Sequence, residues 1–412
     1  MKTTKTTCAL VSASVLAAVT LTAGSSAAGS DLNVSWSDGI RLATDDKSVS
    51  LKIGGRLMND WVFQKADNEL LDALGTTDED DVFHPAVIED GTEMRRARMY
   101  FSGTVQGNTE FKLQVDFAGG KVSAKDYFLG VKNIPALGTI RVGHQYEPMG
   151  LDELTSSKYI TFIERATPMA FVASRKTGLF VTNHTESVMW GGMVSRNSDG
   201  AGAASAGGEY NVTGRLAAVP WQEDGGRRLV HLGAAASRRG PAGDAVSYSA
   251  RPENHLSVNH VSASVAADAA TVLGLEAAAV FGPVSVQAEM LSSSVNATDD
   301  TDPMFSGWYA YGSWFLTGEH RPYKIDSGTF QRVKPKENFD GDGGLGAWEL
   351  AARVSHIDLN DAGVSGGRLD DVTVALNWYL NPNFRWMANY IHADLTDAGK
   401  SHALLTRFQV DF

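Results

Sequence analysis

Cysteine is almost absent from this chain: of 412 residues only Cys8 is one, and it lies before the apolar stretch 9–23. Lys2 and Lys5, that stretch, and the small residues Ser25, Ser26, Ala27, Ala28 and Gly29 read as a secretory signal peptide spanning 1–28. Cys8 leaves with it, so the mature chain from Gly29 carries no disulfide and no thiolate chemistry. Long hydrophobic runs are missing too. The leader stretch falls short of the roughly 18 apolar residues of a spanning helix, and no later segment reaches that length, which excludes a helical membrane protein. Positive charge is scarce: 36 Lys and Arg against 48 Asp and Glu give a formal net charge of −12, or −14 once Lys2 and Lys5 are removed. That balance excludes a nucleic-acid partner, which needs a basic footprint. The ten histidines form no H-E-x-x-H, and there is no phosphate-cradling glycine motif, so neither cofactor nor metal is expected.

What the chain has is glycine, 42 residues or about a tenth against an average near 7%, and a period of two. Segments of about ten residues alternate apolar and polar, separated by tight turns and longer polar loops. In the last, Leu404, Phe408, Val410 and Phe412 share one face, and Arg407, Gln409 and Asp411 the other. The expected strands are 50–63, 94–105, 110–118, 125–133, 138–146, 176–184, 187–196, 207–219, 228–238, 271–281, 284–293, 307–317, 346–357, 370–380, 384–394 and 403–412. An alternating stretch at 256–266 would make an odd number, which would not close a bacterial barrel, and is assigned to a loop. Aromatics gather at strand ends: Trp378, Tyr379, Phe384, Trp386 and Tyr390. The pattern predicts an all-β fold, a 16-stranded antiparallel transmembrane β-barrel over 29–412 with an aqueous lumen, exported to the bacterial outer membrane among its lipid and lipopolysaccharide. A soluble β-sandwich or β-helix is the competing reading.

Period two places Arg96, Arg98, Tyr100 and Ser102 on one face of the second strand. Arginines facing lipid at mid-membrane cost roughly 2 to 4 kcal/mol each, so this row belongs in the lumen, with Arg56 and Arg407 as further candidates. Arg95 then falls on the lipid-side parity, near the rim or in an irregular segment. Rows of guanidinium select anions, phosphate above all, because the planar fork meets two oxygens at once. The plainer reading is that these arginines pair with Asp116, Asp126 or Asp411. Residues 147–175 lack strand pattern but carry Leu151, Phe162, Ile163, Met169 and Phe171, and are expected to fold onto the inner wall as a constriction loop. An ordinary surface loop is the alternative. Gly363-Val364-Ser365-Gly366-Gly367 matches G-x-S-x-G but lies between two barrel strands, so a barrel hydrolase is a remote reading. The acidic runs 78–81 and 299–302 read as solvated loop tips.

Several runs, among them 50–56 (SLKIGGR), 94–98 (MRRAR), 111–117 (FKLQVDF), 150–158 (GLDELTSSK), 162–165 (FIER), 346–350 (GAWEL) and the terminal QVDF, are similar to the phosphate-selective outer-membrane porins O and P. That resemblance implies a homotrimer of barrels, the third loop folded into each pore, and an arginine ladder leading anions to a central lysine. Position by position it assigns Arg56, Arg95, Arg96, Arg165, Arg238 and Arg251 to the ladder. It also places Asp126 and Tyr146 at the constriction. Arg98 stands where porin P has tyrosine, and the central lysine falls at Glu153, a change of two charge units. One unit at about 4 Å and an effective dielectric near 20 is worth roughly 4 kcal/mol, enough to abolish an anion site unless Arg98 or Lys158 compensates. The expectation is passive diffusion of small ions and solutes, anions such as phosphate first. The alternative is a general or weakly selective pore, even a cation-preferring one.

Overall fold

The structure, a computed structural model, describes residues 31–78, 82–204, 210–241 and 243–412. The expected leader, 1–28, and positions 79–81 of the first acidic run lie outside the described residues. Sixteen antiparallel strands form the wall: β1 (Ser50–Ala66), β2 (Gly91–Val105), β3 (Thr109–Asp116), β4 (Ser123–Ile134), β5 (Gly138–Tyr146), β6 (Arg175–His184), β7 (Val188–Arg196), β8 (Asn211–Glu223), β9 (Arg228–Arg239), β10 (Val261–Phe281), β11 (Val284–Ala297), β12 (Met304–Phe315), β13 (Ala347–Asp361), β14 (Val364–Asn381), β15 (Phe384–Leu395) and β16 (Gly399–Asp411). Each pairs with its neighbours in sequence, and β16 closes on β1 from Ser401 opposite Ala66 to Asp411 opposite Arg56. The expected strand number and all-β class agree with this wall.

The alternation has a direct physical reading. On β16, Leu404 and Phe408 point out while Arg407, Gln409 and Asp411 are buried inside. On β15, Trp386 and Tyr390 take the outward parity, whereas Arg385, Met387 and Asn389 are buried. Closure leaves the sheet without an open edge, so its backbone donors and acceptors pair between strands, which is why a sheet can cross hydrocarbon at all. Tight turns are set by left-handed residues. Gln106 and Gly107 (φ +52 and +75) and Ala362 and Gly363 (φ +47 and +85) supply the two consecutive positive φ values of a primed hairpin turn.

Three features depart from a simple alternation of short turns and long loops. Residues 261–266, the second half of the stretch assigned to a loop, are strand: they carry β10 beyond the barrel and pair with Ala245–Ala250, adding no wall strand. A hairpin, Leu32–Trp36 with Ile40–Thr44, precedes the barrel and pairs with the start of β1, Ile40 facing Ile53. Residues 316–346, between β12 and β13, form a long connection at the end where β1 begins and β16 ends. That end is the periplasmic one, because the other connections there are the short turns of the barrel.

Candidate functional site

Residues 147–174 lie inside the barrel, fastened from the β9–β16 side. Phe162 meets Tyr311 edge to face at 5.2 Å and Phe171 meets Tyr248 at 5.0 Å. Ile163 is buried among Val62, Met387, Ile391 and Leu405. Polar anchors match the apolar ones. The Glu289 carboxylate accepts the backbone N–H groups of Leu151 (2.8 Å) and Asp152 (2.7 Å) and the Tyr309 hydroxyl (2.5 Å). Glu147 accepts from Arg239 and Ser237, each at 2.7 Å, and from Thr213. Four wall arginines donate to carbonyls of this loop: Arg239 to Phe171 (2.6 Å), Arg353 to Glu164 (3.0 Å), Arg385 to Ile160 (2.8 Å) and Arg407 to Ile163 (2.6 Å). Such buried donors and acceptors stay put because each would be costly unpaired.

Glu164 lies at a node of this network. Arg95 binds it through two contacts, 2.8 and 2.9 Å, and Arg407 at 2.8 Å while also gripping Asp60 at 2.6 Å. Burial alone would raise the Glu164 pKa, but Arg95, Arg96 and Arg407 hold it well below the usual carboxylate range. Arg95 reaches inward because of a β-bulge. Met58 faces Arg96 and Asn59 faces Met94, so Arg95 is the extra residue that lets two successive arginines turn toward the lumen.

Opposite this fastened loop, the β1–β8 wall encloses a cavity of about 940 Å³ between loop and periplasmic mouth. Its lining includes ten Lys or Arg side chains against three acids, Glu110, Asp126 and Asp326. All three acids are already paired, to Arg141 (2.6 Å), to Lys112 and Arg175 (2.5 and 2.7 Å), and to Lys324 (2.5 Å). Arg41, Lys52, Arg56 and Lys132 line the same space and form no ion pair among the described residues. The overall negative charge therefore gives way locally to a positive field.

The individual candidates separate as follows. Arg56 is buried and donates to Ser157 Oγ at 2.6 Å, with no carboxylate partner among the described residues. Arg96 is buried and, among the described residues, has Met58 Sδ, 3.6 Å away, as its hydrogen-bonding partner. Arg98 is held by Asp116 at 2.6 Å, the pairing of the plainer reading. Asp126 is shared by Lys112 and Arg175, and the Arg175 guanidinium stacks 3.8 Å from the Tyr146 ring centroid. Glu153 is buried and paired to Arg165 at 2.9 Å, and Arg165 also donates to the carbonyls of residues 152, 153 and 155. Lys158 lies 3.5 Å from Asp411 and beside Arg56; burial, then the neighbouring cations, push its pKa down to about 7 despite Asp411. Arg251 is exposed on the loop 240–260 and donates to its own His255 carbonyl at 2.6 Å. Arg238 requires a correction. The inward parity of β9 runs through Leu229, His231 and Ser237, so Arg238 projects outward and Arg239 faces the lumen.

Two inward segments had no signal in the alternation. The loop 240–260 places buried Glu253 against Arg353, Ser355 and Thr373, and Asn254 against Gln64. From the periplasmic end, 316–346 crosses the mouth: Arg215 donates to the Gly328 carbonyl (2.8 Å), Tyr323 meets His231 (2.7 Å), and Arg332 binds Asp411 and, at 3.2 Å, Asp38. Ser365 is exposed on β14 just past the β13–β14 turn, and no imidazole hydrogen-bonds to it among the described residues.

A family model for "Phosphate-selective porin O and P" matches residues 80–412. The chain belongs to that family. It is 26% identical to Porin O of Pseudomonas aeruginosa over 409 residues, covering 89% of this chain and 87% of the relative. It is 33% identical over 318 residues to an uncharacterised Caulobacter vibrioides protein, covering 73% of this chain and spanning 62% of that relative's length. OmpT, an outer-membrane protein of Vibrio cholerae, shares the fold with a TM-score of 0.53 at 11% identity, covering 88% of this chain and 98% of that one. This porin O and P family member is thus an outer-membrane β-barrel channel, and the family and fold point to a channel rather than an enzyme.

Proposed function

We propose that the channel passes small anions by passive diffusion, phosphate among them, with a mild preference and no dedicated phosphate site, and that it assembles as a homotrimer. The observation that carries this reading is the basic excess around the 940 Å³ cavity, with Arg41, Lys52, Arg56 and Lys132 in no ion pair among the described residues. Charge on a pore wall sets which ion enters, and weak attraction at several points permits exit as well as entry. Strict specificity is disfavoured because Glu153 occupies the position of the family's central lysine, and Arg98, a possible substitute, is taken by Asp116. A cation-preferring pore is disfavoured because the Glu153 carboxylate is neutralised by Arg165 within its own loop. The trimer rests on family resemblance and on the trimer form of OmpT, a fold neighbour with TM-score 0.50.

The test is a planar bilayer with a KCl gradient. Expected are conductance steps in groups of three, a zero-current potential of anion-preferring sign, and only weak block of chloride current by millimolar phosphate. Strong cation preference would remove the basic cavity from control of permeation. Tight phosphate block would mean that a dedicated site exists after all.

A further inference from the structure

The outer wall carries a pair of histidines that the pore does not use. The short connection between β15 and β16 fixes their register, so that Leu395 faces Gly399 and His392 faces His402. Both lie on the outward parity beside Tyr390 and Leu404, close to the extracellular rim. Their ring centroids are 4.7 Å apart and the two Nδ1 atoms 3.3 Å apart. The Tyr390 hydroxyl lies 2.9 Å from His402 Nδ1, and its ring stacks on that imidazole.

Two ring nitrogens directed at one another cannot both present lone pairs, nor both present protons, without repulsion. Either one proton is shared or a cation sits between them. The spacing suits a cation. With zinc–nitrogen bonds of 2.0 to 2.1 Å, a nitrogen–nitrogen separation of 3.3 Å corresponds to a ligand–metal–ligand angle of about 107°, close to tetrahedral. No three His, Cys, Asp or Glu converge among the described residues, so the pair supplies two ligands and solvent the rest. Nearby outward charges are Asp394 and Lys400, bound to each other at 3.2 Å, and Lys65, the β1 neighbour of His402.

We propose that His392 and His402 form a binding site for a divalent transition-metal ion of the zinc, nickel or copper class on the outer face of the barrel. Because it lies outside the lumen, occupancy leaves ion conduction unchanged. The test titrates the folded, detergent-solubilised porin with zinc alone by calorimetry. One zinc per chain is expected, bound more weakly as acid makes protons compete for the ring nitrogens. His392→Ala and His402→Ala should each weaken binding on the order of tenfold or more, while retaining the heat-modifiable migration of a folded barrel. Tyr390→Phe, and His184→Ala at the opposite end of the barrel, should keep the site. Absence of zinc binding by the wild-type porin overturns the proposal. So does unchanged binding in both pair variants, or an equal loss in His184→Ala.

Discussion

The two sides of the barrel use the same inward arginines for opposite ends. Along β9 to β16, Arg239, Arg353, Arg385 and Arg407 are consumed by carbonyls of the inserted loop, and three of them also by carboxylates. Along β1 to β6, loop 147–174 leaves a cavity, and Arg56 and Lys52 border it without acidic partners among the described residues; Arg95, turned inward by its bulge onto the Glu164 carboxylate, is the exception on this side. An arginine on a porin wall therefore becomes a fastener or a guide according to whether loop backbone lies opposite it. The residue type does not decide.

Breaking the fastening side should produce the largest effect. Arg407→Ala strands the buried Asp60 carboxylate and leaves Glu164 to Arg95, at a site where the arginine is fully buried, and is expected to cost about 3 to 5 kcal/mol in denaturant unfolding of the folded barrel. The guiding side should respond in conduction instead. Arg56→Ala loses hydrogen bonds to Ser157 and Ser156, worth about 1 kcal/mol net, and strands no carboxylate, yet should reduce the zero-current potential measurably. An equal stability loss in both variants would erase the distinction. Lys158 sharpens it through pH. With its pKa pushed down to about 7, its charge is present below that value and lost above it. Anion preference should fall between pH 6 and 8, and Lys158→Met should flatten the profile. The smallest effect is expected from Glu153→Lys, since Arg165 already screens the carboxylate; it should strengthen phosphate block only modestly.

Much of the wall was legible in the sequence. A two-residue period with lipid outside and water inside leaves one acceptable parity, so Arg407, Gln409 and Asp411 could be assigned inward from the last strand alone. What parity cannot tell is which partner an inward side chain meets, so fasteners and guides looked alike. Local irregularity defeats it as well: the bulge at Arg95 turns a lipid-side parity into a lumen contact with Glu164. In the tandem Arg238-Arg239 the inward member is fixed only by following the strand back to Leu229 and His231. The segment 316–346 has no alternation to read, and the assumption that turns at the periplasmic end are short hid its passage across the mouth. The His392 and His402 pair arises from hairpin register, a signal present in the spacing about residues 396–398 but outside any helical metal motif.

Glu164 also bears on the order of assembly. Its partners, Arg95 on β2 and Arg407 on β16, stand on either side of the seam where the barrel closes, and Asp60 and Arg407 across that seam are 347 positions apart in the chain. The inserted loop cannot be fully tied down while the seam is open, because one of its ties has not yet arrived. Contacts of such long range form late, once their loop-closure entropy has been met. The last tie of the inserted loop therefore forms together with the completed cylinder, after the ties to β9, β11, β13 and β15 that need no closed seam.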